Sequence, residues 1–172
     1  PLKKRLFELA VASGDEAMWK KVEKMFGSTH FKKRLAAARA MGYSGEQGAV
    51  DMLSKALFEG NPTMRLSAAR SLRQLGRAEA LPALKRAIGQ ERDPKVKVQV
   101  IRALGAIGND QALRILRFNS RARQPAIRSA IVQAIQDAGK KKGVETLKLF
   151  FGARDLELQW EAFVAALHIA PD

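Results

Sequence analysis

Apolar residues recur along this chain at steps of three and four rather than two, from the first residues to the last. That period puts them on one face of a helix and leaves no alternating strand signal. Over Leu2 to about Ala12 the apolar set is Leu2, Leu6, Leu9 and Ala10, and Ser13, Gly14 and Asp15 end the run. Asp15 can cap a second helix with Met18, Trp19, Val22, Met25 and Phe26 on its inward face and Gly27 as its stop.

From residue 28 onward one layout repeats. The segments RLAAARAMGYSG (34–45), RLSAARSLRQLG (65–76), KVQVIRALGAIG (97–108) and RSAIVQAIQDAG (128–139) align without gaps, and their terminal glycines are spaced by 31, 32 and 31 residues. Helical patterning alone would not keep that register. Pro62, Pro94 and Pro125 precede three of the units, where a missing N–H costs nothing, and Asn61 and Asp93 are suitable caps. A fifth unit, Leu156 to Ala170, keeps the spacing through Phe163, Val164, Leu167 and Ile169, with Trp160 replacing the basic residue and Pro171 the glycine. Partner helices are predicted over Glu46 to Phe58, Ala78 to Ile88, Asp110 to Phe118 and about Lys141 to Phe151. Their inward residues include Leu53, Leu57, Leu81, Leu84, Ile88, Leu113, Leu116, Val144, Leu147 and Phe150. Neither helix of such a hairpin can bury its face alone, so the hairpins must stack. The expected fold is all-α, an α-α superhelix of about five hairpins plus caps. It forms a single domain over residues 1–172, with a capping helix pair at 1–27, signature repeats at 28–151 and a C-terminal cap at 152–172.

NPTMRLSAARSLRQLGRAEALPALKRAI (61–88) and DPKVKVQVIRALGAIGNDQALRIL (93–116) resemble HEAT-like repeats of the short type found in phycobilisome-lyase-related proteins. The shared pattern is D-x-x-V-R-x-x-A-A-x-A-L-G-x-I-G followed by an Ala/Val-Leu helix, and it covers roughly Ser28 to Phe151. The T-P-L-H turn of ankyrin and the W…L-G…Y spacing of tetratricopeptides are absent. The resemblance implies a solenoid used as a scaffold, a lyase subunit, a regulatory appendage or, in divergent form, a DNA-repair glycosylase. Gln133 and Ala138 in the fourth unit and Tyr43 in the first depart from the pattern and mark places for a local contact.

Composition narrows the reading further. Thirty-one Lys and Arg against 17 Asp and Glu give a formal charge of +14, which draws acidic partners: nucleic acid, an anionic membrane face or an acidic protein. The chain has no cysteine, which removes disulfides and thiolate metal sites, and His30 and His168 have no partner at metal-ligand spacing. No metal or cofactor is expected. No apolar run approaches the ~20 residues needed to span a bilayer, and the first residues are too charged for a signal peptide. A soluble, cytoplasmic protein without membrane insertion is the expectation.

Two basic columns stand out. Arg34, Arg65, Lys97 and Arg128 begin the inner helices; the resemblance makes this position part of the repeat signature, with packing and ion-pairing along the stack as its work. The second column is Arg39, Arg70 and Arg102, continued by Gln133, and the repeat pattern leaves that position free. In the third unit the core stripe is read as Val96, Val100, Leu104 and Ile107, so that Val98, Arg102, Gly105 and Ala106 face away; in the second unit the matching face is Leu66, Arg70, Arg73 and Gln74. The second helix of a HEAT hairpin lines the concave side, so these arginines form a ladder there at about the 10 Å helix spacing. Exposed helix positions also take Arg simply as a good, solubilising helix former. Register is what favours the ladder.

The partner-binding residues are therefore read as Arg39, Arg70, Arg73, Arg102 and Gln133, and the function as a non-catalytic scaffold holding an acidic protein segment on a basic concave face. The alternative is a nucleic-acid binder, which the charge favours and the 6% aromatic content disfavours. Catalysis has weaker support. Asp137 and Glu161, with Trp160 beside the latter, are the carboxylates available to a glycosylase-like cleft, and no nucleophile-and-base pair or phosphate loop is present in the sequence. Lys140, Lys141, Lys142, Arg121 and Arg123 in loops, and Lys85, Arg117 and Lys148 on the outer helices, read as solvated charge.

Overall fold

A computed structural model describes the backbone of residues 2–170 and the side chains of residues 7–170. Among the described residues there are helices and turns but no strand. The helices are α1 (Leu2–Ala12), α2 (Glu16–Phe26), α3 (Phe31–Met41), α4 (Gly48–Ala56), α5 (Pro62–Leu75), α6 (Leu81–Gln90), α7 (Pro94–Ile107), α8 (Asp110–Phe118), α9 (Pro125–Ala138), α10 (Val144–Leu147) and α11 (Leu156–Ile169). They pack as the sequence requires. α3, α5, α7, α9 and α11 lie side by side in one row, and α4, α6, α8 and α10 cover them in a second. α1 packs on α2 and α3.

Helix starts and stops follow local chemistry. Asp15, Asn61, Asp93 and Asn109 each accept a backbone N–H from the first turn, at 2.8, 2.9, 2.8 and 2.9 Å. Pro62, Pro94 and Pro125 open α5, α7 and α9, and Gly76, Gly108 and Gly139 close them at φ of 61°, 58° and 60°, a left-handed turn that a Cβ would strain. Gly45 does not join this set. α3 ends at Met41, and residues 43 and 44 make turn bonds back to Ala40 and Met41, so the first unit stops three residues short of the predicted register. A Cβ on Gly42 would lie 3.0 Å from Ser71, which shows how closely α5 meets the end of α3.

The buried set is largely the predicted one. Val22, Leu53, Leu57, Leu81, Leu84, Ile88, Val96, Val100, Leu104, Leu113, Leu116, Leu147 and Phe150 are all in the core, and Val144 is half-buried. Four expectations are corrected. Leu9 is 58% exposed and Val11 buried, because α1 turns its Phe7–Val11 side inward; Leu2 and Leu6 lie outside the described side chains. Gly105, read as outward, is buried, because a Cβ there would stand 2.6 Å from the Ala134 carbonyl oxygen of α9. The segment 141–151 forms two 3-10 turns around the four-residue α10 rather than one helix. Phe163 and Leu167 of α11 are 45% and 49% exposed, because Leu158, Ala162, Ala165 and Ala166 make that helix's buried face. Pro171 lies outside the described residues.

The first basic column ties repeat to repeat. Arg34 pairs with Glu59, and Arg65 grips both carboxylate oxygens of Glu91 at 2.8 and 3.1 Å while donating to the carbonyls of Glu59 and Gly60. Arg128 makes the equivalent bonds to its own loop, at the carbonyls of Ala122 and Arg123. Glu59 and Glu91 occupy the same place in the repeat, two residues before the N-cap, so each arginine reaches the loop of the next unit. Burial alone would raise Glu91, which is 6% exposed; bonds from Arg65 and from the amides of Asp93 and Arg92, with the guanidinium's charge, instead hold it below the usual carboxylate range.

Two outcomes follow from this packing. Gly105→Ala is expected to destabilise the fold by about 1–3 kcal/mol in urea unfolding despite its better helix propensity, since the clash is with backbone; unchanged or higher stability would mean that α7 and α9 stand farther apart. Glu91 has a folded pKa below its unfolded value. Its pair therefore stabilises fully above about pH 4.3 and the contribution is lost as pH falls through the lowered value. Glu91→Gln should cost roughly 1–3 kcal/mol at pH 7, with the gap to wild type closing as pH falls through the lowered value. A gap independent of pH would contradict the ionised pair.

Candidate functional site

The second arginine column occupies the middle of the α3–α5–α7 row. Each residue sits on an exposed flank because the positions around it face the neighbouring helices: Ala37, Ala38, Ala40 and Met41 in α3, Ser67, Ala68, Ala69, Ser71 and Leu72 in α5, and Val100, Ile101, Ala103 and Leu104 in α7 are all buried. Small residues dominate the α3 and α5 faces and bring those helices close together. Arg39, Arg70 and Arg73 are exposed and Arg102 is half-buried.

Two adjoining depressions join them. The first, of about 340 Å³, is lined by Arg39, Arg70, Tyr43, Gln74, Ser67 and Glu8. The second, of about 510 Å³, is lined by Arg70, Arg73, Arg102, Gln74 and Gln99. Arg70 and Gln74 belong to both, so the two run together across three repeats. The structure thus brings Arg39, Arg70, Arg73 and Arg102 onto one surface. Gln133 is exposed on α9 and lines neither depression. Tyr43, flagged as a departure from the repeat, lies beside Arg39 and Arg70 and is 36% exposed.

Among the described residues, no hydrogen bond or ion pair engages the side chains of Arg39, Arg70, Arg73 or Arg102. In the first column, by contrast, Arg34, Arg65 and Arg128 are all committed to loop oxygens. The arginines of the two columns therefore differ in kind: those of the first are consumed by the fold, and those of the second present their donors to solvent.

Three lining residues were not legible in the sequence. Ser67 is 5% exposed, and its hydroxyl, on the wall of the first depression, has no hydrogen-bond partner. A buried hydroxyl left unmade costs about 1–3 kcal/mol, and the Ser67 oxygen, which has no hydrogen-bond partner among the described residues, is shielded from solvent beneath the wall. Gln99, 8% exposed, looks like a surface residue by type, and only the closeness of α5 and α7 buries it. Glu8 of α1, 7% exposed, adds one carboxylate at the α3 end. An acidic residue spaced one helical turn from the apolar face of α1 was the available signal for it.

The remaining candidates are dispersed. Glu161 accepts a hydrogen bond from Ser129 at 2.7 Å, joining α11 to α9, while Asp137 is exposed. Lys142 pairs with Asp110 at 2.5 Å, and its hydrogen bond and charge hold that carboxyl below its ordinary range. Lys148 bonds Glu145 at 2.7 Å. Trp19 is half-buried, whereas Trp160 is 67% exposed and stacks on Phe163 with ring centroids 6.1 Å apart. Among the described residues, no group of three or more potential metal ligands comes together, and no helix is long and apolar enough to cross a membrane.

The fold has known counterparts. Over 88% of its length the chain resembles the structure of the CpcE–CpcF complex of phycocyanin lyase from Nostoc sp. PCC7120, with a TM-score of 0.69 and 21% identity, covering 64% of that chain. A designed armadillo repeat protein in complex with a (KR)4 peptide matches 96% of the chain and 91% of its own length at a TM-score of 0.62 and 17% identity. In sequence, an uncharacterized phycocyanin operon protein Z of Pseudanabaena tenuis is 27% identical over 123 residues, 67% of this chain; the chain spans 60% of that relative. The sequence profile described as HEAT repeats matches residues 20–97 and, in a second register, 59–134. These matches cover more than half of the sequence, and the chain belongs to the HEAT-repeat family.

Proposed function

We propose that this HEAT-repeat protein is a non-catalytic scaffold that holds an acidic protein segment in the paired depressions along Arg39, Arg70, Arg73 and Arg102. The observation that carries the reading is the contrast between the guanidiniums of Arg34, Arg65 and Arg128, which are committed to loop oxygens, and these unengaged ones. An extended carboxylate-bearing segment supplies an acceptor for each. Arg's planar fork takes a carboxylate in two parallel bonds, which gives orientation as well as attraction. Gln74 and Gln99 offer amide donors and acceptors between the charges, suited to a peptide backbone. Gln133 extends the same row towards α9.

A lyase-type role is the reading that the phycocyanin-related likenesses raise, and it would need a partner chain. The carboxylates available for chemistry do not favour catalysis by this chain alone, since Glu161 is tied to Ser129 and Asp137 stands apart from the depressions. Nucleic acid is the alternative ligand of matching charge. It would bind with a constant falling steeply with salt, by a slope of roughly 0.9 per phosphate neutralised on duplex DNA.

The test is capture of partners from the source lysate by the wild-type protein and by Arg39→Glu/Arg70→Glu/Arg102→Glu, with and without nuclease. Loss of a nuclease-resistant partner in the triple variant is the expected result, and its retention sinks the reading. Binding that disappears with nuclease assigns the surface to nucleic acid instead. Ser67→Ala adds a sharper expectation. Removing a buried, unmade hydroxyl should leave stability unchanged or raise it by up to about 1 kcal/mol in urea unfolding, whereas a loss of stability would show that the hydroxyl has a partner in the folded protein.

A further inference from the structure

The basic residue at the start of each row helix and the carboxylate in the next loop form a ladder that lacks its acid at two places, Ala122 and Ala153, each two residues before the N-cap of the following row helix. Arg34 has Glu59 and Arg65 has Glu91, but the residue at the same place in the following loop is Ala122. The loop itself keeps its shape there: Arg128 holds the carbonyls of Ala122 and Arg123 just as Arg65 holds those of Glu59 and Gly60. Only the acid is gone. Lys97, the third member of the basic column, is half-buried, and among the described residues no hydrogen bond or ion pair engages its ammonium.

The space changes with the chemistry. Where Glu91 fills the cleft beside Arg65, the opening is about 320 Å³; beside Lys97 it is about 900 Å³. Arg92, Arg121 and Arg123 line the larger cleft with Lys97, and their side chains are equally unengaged. Glu91, already committed to Arg65, is the one carboxylate on its walls. At one edge stands Phe118, 89% exposed at the end of α8, and a neighbouring groove of about 560 Å³ continues from it past Ile88 and Ile115. Four cations around a vacant acid position, next to an exposed ring, amount to a charged pocket with an apolar shelf.

We propose that this cleft is a second binding surface, which receives a glutamate or aspartate side chain from an acidic segment of a protein partner in the position that Glu59 and Glu91 occupy in the preceding repeats, with an adjacent apolar side chain of that segment on Phe118. The cleft shares no lining residue with the arginine depressions, so it stands independently of the function proposed for them. A carboxylate is favoured over other anions because the fold itself uses one at this position twice.

The probe is a fluorescein-labelled pentapeptide with leucine between paired glutamates, followed by polarisation, with its glutamine counterpart and an oligothymidylate as comparison ligands. Wild type should bind the glutamate peptide saturably and the glutamine peptide not at all. Arg121→Glu/Arg123→Glu, at two exposed sites, should weaken binding about 10-fold or more. Ala122→Glu should weaken it similarly while unfolding at a temperature no lower than wild type, because the new carboxylate pairs with Lys97 and extends the ladder by one member. Arg39→Glu/Arg70→Glu/Arg102→Glu should still bind the peptide through this cleft, and adding Arg121→Glu/Arg123→Glu to it should remove what remains. Failure of wild type to bind, undiminished binding by Ala122→Glu, loss of binding only in the Arg39/Arg70/Arg102 variant, or preference for the oligothymidylate would each overturn the proposal.

Discussion

Everything distinctive about this molecule depends on how closely its row helices approach one another. At Gly105 the α7 backbone lies against Ala134 of α9 with no room for a Cβ, and along α3 and α5 the buried faces are mostly alanine and serine. Small residues at a helix interface let the ridges interlock at short interaxial distance. That distance sets where every other side chain can reach. It buries Gln99 and Ser67, and it puts Arg70 within one continuous surface shared with Arg39 on one side and Arg102 on the other.

The same constraint separates two uses of arginine that are alike in composition. Near the helix starts, the loops of adjacent repeats come within reach of a guanidinium, and Arg34 and Arg65 are spent on Glu59 and Glu91. Half-buried pairs of this kind mainly penalise wrong spacing, since losing one partner leaves the other charge poorly solvated. Half a helix further along no carboxylate recurs at the repeat spacing, and among the described residues no hydrogen bond or ion pair engages these arginines. A formal charge of +14 is therefore divided by repeat register into cations that join the repeats and cations that do not.

Most of the fold was legible because its determinants are local. Asn61 and Asp93 as caps, Pro62, Pro94 and Pro125 at helix starts, and Gly76, Gly108 and Gly139 at left-handed ends each act within one turn of themselves. The arginine column was legible too, since equal spacing in a repeat protein becomes alignment in space. What sequence could not reveal depends on neighbours. The outward reading of Gly105 failed because a helical wheel knows one helix, while this glycine answers to α9. The exposed side of α11 was missed because its large apolar residues imitate a core stripe, when Leu158 and three alanines are what fit against the adjoining helix. Glu59 and Glu91 stand out only in three dimensions, where packing sets each across from an arginine of the preceding row helix.

The central claim is that repeat register turns Arg39, Arg70, Arg73 and Arg102 into one ligand surface. Amide shift mapping by NMR during titration with poly-glutamate tests it most directly, because it reads every segment at once. The account predicts saturable changes concentrated at residues 39–43, 67–74 and 99–102, with any at 89–97 and 118–124 forming a separate group that the Arg39, Arg70 and Arg102 substitutions leave in place. Small changes spread evenly over lysines and arginines throughout the chain would contradict it, since they would mean that the charge attracts acidic chains without a site to hold them.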